Sequence, residues 1–168
     1  IGQVILSVGS TSAPLLLLLV TAQLYSRVLT MTGFTRSAQE LIMGSGLGPG
    51  GVLILMVLVW FLLGCLIDSI SIMLLTVPIF APIAMALGMD PLAFAIIGIV
   101  AIETGLLTPP FGLLVFTVKA AIDDPAIGVG KIFAGSTPYW ILLLAVIVCL
   151  WYFPALATYL PGLLKANG

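Results

Sequence analysis

The chain has 168 residues, of which 62% are hydrophobic and only 7% charged, with a net charge of −1. Soluble domains carry roughly 25% charged residues, so this composition belongs to an integral membrane protein in contact with a lipid bilayer, and it offers nucleic acid nothing to bind. There is no histidine, which excludes histidine acid–base catalysis, histidine metal ligands and Ser-His intramembrane proteolysis; no enzymatic activity and no cofactor are expected.

The sequence opens at Ile1 within an apolar segment, without a charged n-region or cleavage-site pattern, and a fragment or the C-terminal part of a larger polypeptide is expected. Residues 1–8 are too few to cross a membrane. Gly9-Ser10-Thr11-Ser12-Ala13-Pro14 interrupts them, with Pro14 suited to a first helical turn and Ser10, Thr11 or Ser12 to its cap. A span over 12–29 follows, leaving the membrane at Tyr25 and Arg27. Within the connector 30–51, residues 35–43 predict a short interfacial helix with Arg36 and Glu40 paired at i,i+4. The run 44–51 is rich in Gly and Pro. It lacks the Lys-Ser/Thr and the preceding strand of a phosphate cradle and reads as a hinge.

Residues 52–87 are almost wholly apolar. One straight helix of that length would measure about 54 Å against a hydrocarbon core of about 30 Å, while two full spans need about 40 residues and a loop. A re-entrant hairpin resolves the conflict, entering over 52–66, turning over 67–71 and returning over 72–87. The entering arm is about 24 Å long, which puts Asp68 near mid-membrane. Pro78 and Pro82 should bend the returning arm, and together with Met73, Phe80 and Met85 they read as packing residues. Cys65 and Cys149 read as buried, reduced packing thiols in separate helices.

Gly88-Met89-Asp90-Pro91 predicts a tight connection, with Gly88 at a helix C′ position, Asp90 as N-cap and Pro91 at N1. The helix that follows reaches Thr104 after about 20 Å, the depth of Asp68. There the stretch Glu103-Thr104-Gly105-Leu106-Leu107-Thr108-Pro109-Pro110-Phe111-Gly112 should break it, because each proline lacks an N–H and crowds the preceding turn. Broken backbone at membrane depth is tolerated only inside protein or along a cavity, and in transporters that cavity is commonly the substrate and ion site. The discontinuous helix is expected over 91–118. A polar loop over 119–135, with Asp123, Asp124 and Lys131, precedes a final span over 136–157. That span carries aromatic belts at Tyr139 and Trp140 and at Trp151, Tyr152 and Tyr159, and Pro161 and Gly162 should end it. Three Lys or Arg on one face against two on the other leave the orientation open.

Two readings stand for each polar group. Asp68, beside Ser69 and Ser71, either shapes a cation site or caps the returning arm. Glu103 either couples to a cation or proton, or holds the break by bonding freed N–H groups. The hydroxyls of Thr104 and Thr108, the unwound carbonyls before Pro109 and Pro110, and the close backbone approach allowed by Gly105 and Gly112 suit a hard cation such as Na⁺; the alternative is a plain structural kink. The favoured arrangement has Thr108 and the carbonyls before Pro109 facing the same cavity as Asp68. No arginine or lysine lies near this depth to pair with a carboxylate.

The order and spacing of Gly64-Cys65-Leu66-Ile67-Asp68, Thr76-Val77-Pro78-Ile79-Phe80-Ala81-Pro82, Gly88-Met89-Asp90-Pro91 and Gly105-Leu106-Leu107-Thr108-Pro109-Pro110-Phe111-Gly112 resemble the large membrane (M, DctM-like) subunit of tripartite ATP-independent periplasmic (TRAP) transporters. Phe153-Pro154-Ala155-Leu156 and Leu160-Pro161 extend the resemblance to the C-terminal end. The resemblance implies an all-α membrane protein of transmembrane helices, a re-entrant hairpin and a discontinuous helix, forming the C-terminal half of an inverted-repeat elevator transporter in the bacterial inner membrane. It implies Na⁺-coupled uptake of an organic acid, of the C4-dicarboxylate or sugar-acid class, delivered by a periplasmic solute-binding protein. A small membrane subunit and the N-terminal repeat of the same subunit are the other implied partners. On this sequence it places the hairpin tip at Gly64, Asp68, Ser69 and Ser71, the broken helix at Gly105 to Gly112, and Na⁺ at Asp68, Ser71, Gly105 and Thr108. Residues 1–51 would be a scaffold span with its connector, 52–118 the transport part, and 119–168 the loop and last span. Two other functions compete: a dicarboxylate or anion:cation symporter working without a binding protein, and a non-transporting membrane structural subunit.

Overall fold

The computed structural model describes residues 2–122, 124 and 127–166, and every regular element among them is an α-helix. In chain order these are α1 (Gly2–Met31), α2 (Phe34–Gly44), α3 (Pro49–Gly64), α4 (Ser69–Ala86), α5 (Pro91–Leu106), α6 (Leu113–Ala121), α7 (Val129–Tyr152) and α8 (Ala155–Ala166). The described residues are all-helical, as expected, and α1, α4 and α7 contain stretches long and apolar enough to cross a bilayer. At 16 residues each, α3 and α5 are about 24 Å long and fall short of that length.

The interruption expected at residues 9–14 does not occur. α1 runs through Pro14 without a break. A proline removes one N–H from the helical ladder, here the donor to the Ser10 carbonyl, and the neighbouring bonds persist. The Ser10 hydroxyl donates back to the Ser7 carbonyl at 2.9 Å instead of capping a new helix. α2 is the expected amphipathic segment. Its Arg36 Nε and Glu40 Oε1 lie 3.0 Å apart, both exposed, a pair that contributes about 0.3–0.5 kcal/mol. The hinge expected over 44–51 shrinks to 45–48, because Pro49 takes the N1 position, where its missing N–H costs no hydrogen bond.

The core lies where α3, α4 and α5 meet. Trp60 is its centre, with Phe80 and Phe94 at ring-centroid distances of 5.3 and 5.2 Å and Val52, Met56, Ile72, Ile83 and Ile102 buried around it. The turn between α3 and α4 falls at 65–68, two to three residues earlier than expected. Asp68 is the N-cap, so Ser69 and Ser71 lie inside α4. Pro78 and Pro82 are both contained in α4. Gly88, at φ +75°, ends α4 in a Schellman arrangement, with Met89 N–H donating to Ala84 and Gly88 N–H to Met85. Asp90 Oδ1 then accepts from the N–H groups of Leu92 and Ala93, both at 2.9 Å, and Pro91 opens α5 as expected.

The C-terminal boundaries differ from the sequence reading. Lys119 lies in the last turn of α6, which ends at Ala121, and α7 begins at Val129, so the connection is confined to 122–128; Asp123 lies outside the described residues. α7 ends at Tyr152, short of the expected 157, because Pro154 supplies no N–H for the Leu150 carbonyl and pushes Phe153 to φ −128°, ψ 70°. Pro161 and Gly162, expected to stop the chain's last helix, lie within α8. Cys149, expected to be buried, is exposed on α7, while Cys65 is buried; both are free thiols.

Candidate functional site

α3 and α5 run side by side in the same direction. Trp60 covers Gly98, and further along both helices Gly64 meets Gly105. A Cβ on Gly98 would lie 2.8 Å from the Trp60 ring. One on Gly64 would lie 2.5 Å from the Ile102 carbonyl oxygen and 2.9 Å from Gly105 Cα, and one on Gly105 would collide with the Phe61 carbonyl oxygen. In a bilayer, where apolar burial between helices drives little, small residues let backbones approach closely enough for van der Waals contact to hold them. The crossing therefore brings the ends of α3 and α5, and the irregular segments that follow each, to the same place.

The break after α5 is shorter than expected. Glu103, Thr104 and Gly105 remain helical, and the irregular segment is 107–112. Proline strips the donor from the carbonyl four residues back, so Pro109 and Pro110 release the carbonyls of Gly105 and Leu106 without unwinding the turn that carries them. Thr108 repairs the first: its N–H donates to the Gly105 carbonyl at 3.0 Å and its hydroxyl at 2.9 Å. The Leu106 carbonyl has no donor among the described residues. Ser136, from α7, donates its hydroxyl toward the Leu107 carbonyl at 3.2 Å while also within 2.9 Å of the Phe133 carbonyl. Gly112 opens α6 at φ +48°, where a Cβ would also lie 2.6 Å from the Phe133 ring, so the position requires glycine twice over. The Pro109–Pro110 bond is cis.

The candidate residues fall into two groups. Asp68 is exposed and caps α4: Oδ1 accepts from Ser71 N–H at 3.0 Å and Oδ2 from the Ser71 hydroxyl at 2.6 Å. Ser71 also borders an open groove of about 360 Å³ against α1, where Thr21 and Tyr25 supply further hydroxyls. Gly105 and Thr108 are buried, and Thr104 is fully buried with its hydroxyl donating to the Val100 carbonyl at 2.6 Å. Pro109 and Pro110 are exposed. Glu103 is half-buried, and its carboxylate bonds no freed N–H among the described residues; the break is held from the opposite side, by the Thr108 and Ser136 hydroxyls donating to its carbonyls. No contact among the described residues brings Asp68 or Ser71 to Thr108; Cys65 is what ties the α3–α4 turn to the break. It lies three residues before Asp68 in the hairpin turn, and its sulfur is 3.3 Å from Thr108 Oγ1 and 3.6 Å from the Pro109 carbonyl oxygen.

Sequence reasoning did not find Cys65, Phe133 or Ser136 as parts of this site. They act across 21 to 44 residues of chain, and nothing local marks them. For Cys65 the available signal was its place beside Gly64, at the end of the arm expected over 52–66 and just before the turn expected over 67–71.

The family model described as "Tripartite ATP-independent periplasmic transporter, DctM component" matches residues 1–156. The C4-dicarboxylate TRAP transporter large permease protein DctM of Pseudomonas aeruginosa is 33% identical over 95% of this chain. The ectoine/5-hydroxyectoine TRAP transporter large permease protein UehC of Ruegeria pomeroyi is 32% identical over 94%. The sialic acid TRAP transporter large permease protein SiaM of Vibrio cholerae is 32% identical over 71%. These alignments span 37%, 36% and 27% of the respective relatives, so the chain corresponds to roughly a third of their length.

Proposed function

This chain belongs to the DctM component family of tripartite ATP-independent periplasmic transporters, and from that premise we propose that it is part of a permease subunit for Na⁺-coupled uptake of an organic acid across the bacterial inner membrane. A periplasmic binding protein delivers the acid, and a small membrane subunit and an N-terminal repeat complete the permease. The substrate is of the C4-dicarboxylate or sugar-acid class, by likeness to relatives named for C4-dicarboxylates and sialic acid. The ectoine relatives mark the breadth of chemistry that such permeases accept.

The observation that carries this reading is the meeting of the hairpin turn and the proline break at the Gly64–Gly105 crossing. In this proposal α3 and α4 form a re-entrant hairpin and α5 and α6 the discontinuous helix, and the four helices move together as the transport part of an elevator. Na⁺ takes the Thr108 hydroxyl and freed carbonyls of the break on one side, and Asp68 with Ser71 on the other. The Leu106 carbonyl, deprived of its donor by Pro110, is an oxygen of the kind a hard cation uses.

Reconstituting the complete permease in proteoliposomes, with and without its binding protein, tests the reading. Uptake should require both an inward Na⁺ gradient and the loaded binding protein. Na⁺-driven uptake of free substrate at full rate would instead establish a symporter that needs no binding protein. A permease that binds its partners yet moves no solute would leave only a structural role.

A further inference from the structure

Cys65 closes α3 and is 3% exposed, and three oxygens surround its sulfur: the Phe61 carbonyl and Thr108 Oγ1, both at 3.3 Å, and the Pro109 carbonyl at 3.6 Å. A thiol carries one proton and serves these acceptors one at a time. Thr108 settles which way its own contact runs. Its hydroxyl reaches two carbonyls, Gly105 at 2.9 Å and Thr104 at 3.3 Å, and the nearer takes its proton. The contact distance alone allows either atom to donate; with the Thr108 proton on Gly105, its oxygen accepts in this contact and the sulfur is assigned as donor to Thr108 Oγ1. Thr108 is 2% exposed, and no other described donor reaches that oxygen.

We propose that Cys65 is a positioning residue for cation capture: its S–H covers the Thr108 hydroxyl oxygen while the cation site is empty, and turns to the Phe61 or Pro109 carbonyl when Na⁺ takes that lone pair. Rotation about the Cβ–Sγ bond redirects the hydrogen while the sulfur and both helices stay in place. A serine or threonine donor would hold the oxygen more firmly; a thiol is a weak donor and gives it up readily. The inference rests on the reading of Thr108 as a Na⁺ ligand.

The test has two arms on the complete permease. In the infrared difference spectrum between Na⁺ and choline, the S–H stretching band assigned to Cys65 by its loss in Cys65→Ala should shift as Na⁺ is added. Thermal unfolding of the same samples reports whether Na⁺ binds at all. Stabilisation by Na⁺ with an unmoved S–H band overturns the inference and leaves Na⁺ binding intact; absence of any Na⁺ stabilisation overturns the Na⁺ reading itself, and the inference with it. In uptake, Cys65→Ala leaves the buried Thr108 oxygen without a donor in the empty site. Na⁺ then relieves an unpaired acceptor, and its half-saturating concentration should fall by about two- to tenfold. A thiol that merely packs predicts the opposite sign: a looser site and a higher half-saturating concentration.

Discussion

Trp60 is 2% exposed, and its indole N–H donates to Thr76 Oγ1 at 2.7 Å while the Thr76 hydroxyl donates in turn to the Ile72 carbonyl at 2.7 Å. This chain of two bonds satisfies the one polar atom of the core's largest side chain and ties α3 to α4. Thr76→Val keeps the shape and strands the indole N–H, which should lower stability by about 1–3 kcal/mol. A double variant with Trp60→Phe should recover part of that loss, as thermal unfolding of the purified permease would record; purely additive losses would mean that the bond contributes nothing. Asp68 poses a different question, because capping and cation binding use the same carboxylate. Asparagine caps a helix as well as aspartate does, whereas alanine costs about 1 kcal/mol of helix stability. If the charge serves the cation, Asp68→Asn should keep the stability of the permease yet raise its half-saturating Na⁺ concentration, and Asp68→Ala should damage both. Unchanged Na⁺ dependence in Asp68→Asn would reduce Asp68 to a cap.

Among the helices, the sharpest constraint is the crossing of α3 and α5. Gly105→Ala sets a methyl against the Phe61 carbonyl and Gly64 Cα, which are backbone and cannot turn aside. It should separate the helices, pull Cys65 from Thr108 and abolish uptake. Gly128→Ala, with nothing within 4 Å of its Cβ position, should leave uptake unchanged. Equal behaviour of the two variants would mean that the crossing does not matter. The ends of these helices were legible in the sequence where the chemistry is local: Asp90-Pro91 opening α5, Gly88 closing α4 and the double proline ending α5. Prolines were over-read where the surrounding ladder could absorb the loss of one bond, as at Pro14 in α1 and Pro161 in α8. The boundary that Pro154 imposes went unread because an apolar run continues on both sides of it.

For the molecule as a whole, the length argument over 52–87 and the break before Gly112 point to two irregular segments at one depth, and the parallel run of α3 and α5 brings the segments together. What was not legible is how the site is closed. α7 supplies Phe133 and Ser136 over the break, Phe133 from the loop expected over 119–135 and Ser136 from the start of the span expected over 136–157. The central proposal is that Thr108, where the α3–α4 turn meets the proline break, couples Na⁺ to uptake. The most direct measurement is the Na⁺ dependence of uptake by the reconstituted permease carrying Thr108→Val or Thr108→Ser. Valine keeps the volume and removes the oxygen; Na⁺ stimulation should be lost with valine and kept with serine, the retained hydroxyl being worth about tenfold or more in half-saturating Na⁺. Thr108→Val with wild-type Na⁺ dependence would contradict the account.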